Sequence, residues 1–137
     1  MEKQENKIKK GKFYVITCYE NVMDYLFNAL EKAPKKFRYS FVLRMEDNML
    51  DTMSLLVSAN KTQLTNPDRR KYQEDAKVKM DVLGVLLRIA YKQNCICYKT
   101  YENATKLIYE AREYLDKWIA SDEKRLNSLT HNNNGEV

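Results

Sequence analysis

Residues 67–93 carry two apolar faces at helical spacing, whereas a helix in a lone bundle needs one. Tyr72, Ala76, Met80, Leu83, Leu87 and Ala90 recur in steps of three and four. Val78, Val82, Val85 and Ile89 repeat those steps well round the cylinder, at about 100° per residue. The first face predicts a core. The second predicts a surface that another copy of the chain covers, so the expected state is an oligomer with Val78, Val82, Val85 and Ile89 at the seam.

Arg70, Lys77, Arg88 and Lys92 fall between the two faces, on one side of the same helix. Glu74 and Asp81 share that side and dilute its charge. An ordinary solvated face accounts for any one of these residues. Four aligned cations beside an apolar seam are candidates for binding a polyanion.

The rest of the chain has the same periodicity, with only three Gly and two Pro to interrupt it. A first helix is expected over 12–32, with a stripe of Val15, Tyr19, Val22, Leu26 and Leu30, and Pro34 marking its stop. A second is expected over 36–61, where apolar residues cover more than half the circumference. Glu46 lies inside that arc, where an unpaired carboxylate is costly; it is expected to meet an Arg, of its own chain or across a subunit boundary. Asn66-Pro67-Asp68 reads as an N-cap, a first-position proline and an acid at the positive end of the helix dipole. Asn94 reads as a C-terminal cap. A fourth helix starts near Tyr98, and Leu126 and Leu129 keep its phase. Gly84 weakens the third helix by about 1 kcal/mol; it is either tolerated or there to admit another backbone. Short connections make sequential helices antiparallel, giving an all-α, up-down-up-down four-helix bundle. The expected division is a flexible basic arm over 1–11, the bundle over 12–129 and a disordered tail over 130–137.

The net charge of +5 is modest, but it is unevenly placed. Residues 32–44 hold Lys32, Lys35, Lys36, Arg38 and Arg44 and no acid. Residues 98–125 balance six cations with six anions. Lys35, Lys36, Arg38 and Arg44 therefore join Arg70, Lys77, Arg88 and Lys92 as candidate nucleic-acid contacts, mainly to phosphate. Arg88 has two candidate roles, a phosphate contact or an ion pair with an acid such as Glu46 of a neighbouring subunit. Of the ten tyrosines, Tyr19, Tyr72, Tyr101 and Tyr114 fall on core stripes, while Tyr39, Tyr91 and Tyr109 do not clearly do so.

No enzyme constellation emerges. Adjacent acids such as Glu46/Asp47 and Glu74/Asp75 do not face one another on a helix. The Glu-x-x-His signature of di-iron bundles is missing, since the one His is His131, and no Gly-rich phosphate loop occurs. Cys18, Cys95 and Cys97 form neither a disulfide framework nor, with His131, a metal set. Neither a cofactor nor a metal is expected. Reduced cysteines, no membrane-length apolar run and no signal-peptide core predict a cytoplasmic protein without a membrane partner.

The segment KFRYSFVLRMEDNMLDTMSLLVSAN, with MDVLGVLLRIAYKQNCICYKTYENATKLIYEAREYLDKWI, resembles the accessory variability determinant (Avd) family of diversity-generating retroelements. Three signals carry the likeness in order: Phe37-Arg38, the run Leu86-Leu87-Arg88-Ile89-Ala90, and Tyr101-Glu102-x-Ala104. The resemblance covers nearly all of 12–120. It implies a homopentameric barrel with a positive surface that binds the element's reverse transcriptase and its template RNA or DNA and supports mutagenic retrohoming. Arg38, Arg44 and Arg88 match basic positions of the family, and Cys97 departs from the Ser common before its last helix. A related branch comprises four-helix proteins encoded in 23S rRNA intervening sequences and stand-alone bundles. The second expectation is accordingly a structural protein-interaction module with no reverse transcriptase.

Overall fold

A computed structural model describes residues 14–135, with side chains as far as 131. The expected arm over 1–11 lies outside the described residues. The helices are α1 (Tyr14–Leu30), a single turn α2 (Lys35–Arg38), α3 (Phe41–Lys61), α4 (Pro67–Lys92) and α5 (Tyr98–Gly135). The four long helices form a ring of neighbours in which α3 packs on α4, α4 on α5, and α5 back on α1. Cross-contacts fix the antiparallel sense: Tyr14 meets Tyr114 and Tyr25 meets Asn103, while Lys77 meets Asp116 and Arg70 meets Glu123.

The core is the one the stripes predict. Val15, Tyr19, Val22 and Leu26 of α1 meet Met45, Met49 and Leu56 of α3, Met80, Leu83 and Leu87 of α4, and Leu115 of α5, all fully enclosed. Closing such side chains from water stabilises by about 1.5–3 kcal/mol each. Of the tyrosines on the stripes only Tyr19 is buried; Tyr72, Tyr101 and Tyr114 are half-buried at the rim. Burial raises the Tyr19 phenol to about 12, opposed by its contact with Thr52.

Both caps of α4 form where the sequence places them. The Asn66 side chain accepts from Asp68 N at 2.9 Å. At the other end Asn94 takes a left-handed φ of 61°. Cys95 N then donates to Ala90 O and Asn94 N to Tyr91 O, the paired bonds of a Schellman cap. That turn drives Cys95 and Ile96 into the core and starts α5 at once. A Cβ on Gly84 would meet nothing within 4 Å, so nothing within the chain requires a glycine there.

Two boundaries differ from the expectation. The helix expected over 36–61 is broken at Tyr39–Ser40, where Ser40 leaves the helical region at φ −118°, ψ −83°. Ser40 Oγ bonds back to Lys36 O at 3.4 Å. The break separates the single turn of α2 from α3, with no Gly or Pro to signal it. The tail expected to be disordered from 130 is instead helical through Gly135. Nothing before Gly135 stops the helix, and Thr130 keeps its hydroxyl on Leu126 O at 3.0 Å.

Candidate polyanion-binding pole

Two connections lie side by side at one end of the bundle. Glu31, Lys32 and Pro34 border a groove whose other wall is Asn94–Cys97. Beside it, Phe37, Tyr39, Leu43 and Arg44 share a second groove with Ile89 and Gln93. Folding therefore joins the acid-free run 32–44 to another acid-free run, residues 82–101, which holds Arg88, Lys92 and Lys99. Lys32, Lys35, Lys36, Arg44, Arg88, Lys92 and Lys99 are all exposed, and among the described residues none of them is in an ion pair. Facing them in the grooves are Glu31 and Asp47; Glu102, one turn into α5, pairs with Lys106 at 3.3 Å. Unneutralised cations gathered from separate segments produce a positive field that attracts polyanions.

Three of the candidate cations are engaged within the chain, Arg70 and Lys77 by carboxylates and Arg38 by backbone carbonyls. Arg70 donates to Glu74 at 3.0 Å and to Glu123 at 2.7 Å, and Lys77 sits 3.1 Å from Asp116. The Glu123 hydrogen bond also holds the Arg70 guanidinium more firmly charged. The line through Arg70, Lys77, Arg88 and Lys92 is thus not one open basic face, because α5 places carboxylates against its first half. Asp81, on the same side, is taken by Arg112 at 3.0 Å. Arg38 bonds Ala33 O at 3.3 Å and Glu31 O at 3.4 Å, tying the α2 turn to the end of α1. Lys36 lies 4.9 Å from the centre of the Phe37 ring, its charge still exposed.

The opposite end is closed by buried ions. Arg69 makes a two-point contact with Asp122, Nε–Oδ2 at 2.7 Å and Nη2–Oδ1 at 3.0 Å, and donates to Thr62 O at 3.0 Å. Gln73 adds a bond to Asp122 at 2.9 Å, and the guanidinium lies 5.2 Å from the Trp118 ring. Charges this enclosed must be paired. Periodicity does not reveal this cluster, since no local signal links residues 53 positions apart. Nor does it single out Lys99 and Tyr98; the acid-free stretch 82–101 is the signal that could have found them.

The apolar seam is open in the single chain. Val78, Val82, Val85 and Ile89 are 39–61% exposed, and Leu43 and Leu50 of α3 are exposed with them. Glu46 is half-buried and has no ion pair among the described residues, so no Arg of its own chain meets it.

The thiols are dispersed in environment: Cys18 and Cys95 are buried and Cys97 is exposed. Burial pushes Cys95 up, while a hydrogen bond with the Thr100 hydroxyl draws Cys97 down. Among the described residues no cluster of His, Cys, Asp and Glu could hold a metal, and no helix is long and apolar enough to cross a membrane.

Compared with known proteins, the chain is matched over residues 12–121 by the model of a family described as bAvd-like. No curated protein and no solved structure matches it.

Proposed function

Because the chain belongs to the bAvd-like family, we propose that it is a non-enzymatic accessory protein of a diversity-generating retroelement that binds nucleic acid through its basic pole. In this reading it holds the element's template RNA or DNA, works beside the reverse transcriptase and supports mutagenic retrohoming. The observation that carries it is the convergence of residues 32–44 and 82–101, two acid-free runs, at one end of the bundle. Contacts there are to phosphate, because no element presents a row of side chains suited to base edges.

The open valine face supports assembly, with five copies as the proposed number. Repeating the pole around a ring would compensate for its modest charge per copy through avidity. Arg88 keeps both its roles in this scheme, on a phosphate or on Glu46 of a neighbouring copy. Arg88→Ala weakens binding at unchanged mass in the first case and dissociates the oligomer in the second.

The test is a gel-shift series with DNA, structured RNA and a DNA–RNA hybrid across salt concentrations. Affinity should fall with a log–log slope of about −0.9 per phosphate neutralised on duplex DNA. Failure to bind any of the three at low salt would leave the open apolar face as the better guide, and the chain would be a protein-interaction bundle. A reverse transcriptase gene beside its own separates the same two readings.

A further inference from the structure

Three tyrosines form one connected cluster at the basic pole, where α4 turns into α5. Tyr91 and Tyr101 stack with centroids 5.4 Å apart and planes 22° from parallel. Tyr98 packs edge-on to Tyr91 at 5.6 Å and lies 6.3 Å from Tyr101. A ring cluster of this kind normally closes over a core, but here Tyr98 remains 57% exposed and Tyr91 38%. Their open ring faces are surface on which a flat apolar group can stack.

The surroundings say what kind of molecule that is. Lys92 follows Tyr91, Lys99 follows Tyr98, and Arg88 lies one turn before Tyr91. None of the three cations is in an ion pair among the described residues, and no acid occurs from 82 to 101. The cluster is not part of the valine seam, because Tyr91 is about 200° round α4 from Ile89. Flat apolar rings flanked by free cations match a ligand that pairs flat bases with phosphates. A duplex hides its base faces inside the stack; a single strand offers them.

We propose that Tyr91 and Tyr98 form a base-stacking platform, making this pole selective for single-stranded over duplex nucleic acid. The inference rests on the nucleic-acid reading above and deepens it. Tyr98 receives the base, Tyr101 backs Tyr91, and Arg88, Lys92 and Lys99 take the flanking phosphates. Stacking on a π-face is tolerant of base identity, so the platform discriminates by strandedness without reading sequence.

The test is fluorescence anisotropy on the full chain, with a labelled oligonucleotide single strand and the same sequence as a duplex. Tyr98→Ala should lose about tenfold in affinity for the single strand, with duplex affinity and both salt slopes nearly unchanged because the phosphate contacts remain. Tyr98→Phe keeps the ring and should keep the affinity. Far-UV circular dichroism and light scattering on each variant establish that helicity and mass are intact. If Tyr98→Ala perturbs the fold, Tyr98→Trp gives a second readout, its emission quenched by the single strand and not by the duplex. Equal losses on strand and duplex, a Phe variant as weak as the Ala variant, or an oligomer that falls apart would each overturn the platform. Unaltered binding by Tyr98→Ala would overturn it and leave the basic pole standing. A wild-type chain that binds neither probe would overturn the pole itself and the platform with it.

Discussion

At one end of the bundle Arg69 and Arg70 are closed into carboxylates of α5, while at the other Arg44 and Arg88 stand open to solvent. All four lie on α3 and α4, so the difference comes from what the neighbouring segments bring opposite them. From its middle onward α5 carries Asp116, Asp122 and Glu123 against the first half of α4. The beginning of α5 and the turn through α2 carry almost no acid where α4 ends. A guanidinium enclosed by acids holds helices together. One left without them is available to a ligand, and the bundle keeps the two kinds at opposite ends.

Breaking the closed end should have the largest effect. Arg69→Ala leaves the buried Asp122 with only the longer ion pair to Arg125 at 3.7 Å and should destabilise by about 3–5 kcal/mol, measured by urea unfolding. A loss below about 1 kcal/mol would mean that water already reaches that pair. Next in size, Val82→Asp places a carboxylate on the exposed valine face. It should dissociate the proposed assembly at a cost of several kcal/mol while leaving helicity intact, read by light scattering and circular dichroism. A wild-type chain that is monomeric at micromolar concentration would remove the ring and with it the avidity of the pole.

Smaller still, Arg88→Ala with Lys92→Ala should lower the salt slope of duplex binding by about 0.9 for each phosphate that is no longer neutralised, with the unfolding midpoint nearly unchanged. The sharpest contrast comes from the weakest effect. Arg70→Ala removes an equally charged residue from the same side of α4, yet it should leave nucleic-acid affinity unaltered and change stability by less than about 1 kcal/mol. Equal binding losses for Arg70→Ala and Arg88→Ala would erase the distinction between the two ends.

Much of this fold is legible in local pattern because local pattern causes it. Asn66-Pro67 and Asn94 mark the ends of α4 through their own side chain and backbone preferences, and the stripes select the core. Val78, Val82, Val85 and Ile89 read as surplus to one bundle, and they are open in the single chain. Charge is less legible, since periodicity gives the direction of a side chain and not what faces it. Arg70 and Arg88 share a direction, but only Arg70 meets an α5 carboxylate, Glu123, 53 residues away. The break at Tyr39–Ser40 has no Gly or Pro to announce it, and the helix through 130–135 continues across polar residues that read as a tail. The tyrosine cluster escapes for the same reason as Arg69–Asp122: its members belong to separate helices.

The 38 residues of α5 span about 57 Å at 1.5 Å per residue. The helix begins among the exposed tyrosines and runs past Arg69–Asp122 before it ends at Gly135. It therefore works as a built-in ruler with its zero mark at the basic pole. A fluorophore attached near its far end would be separated by most of that length from anything bound at the zero mark. If the pole holds a strand as proposed, the direction in which that strand leaves the protein could then be read from labels placed along it, without touching a residue of the pole.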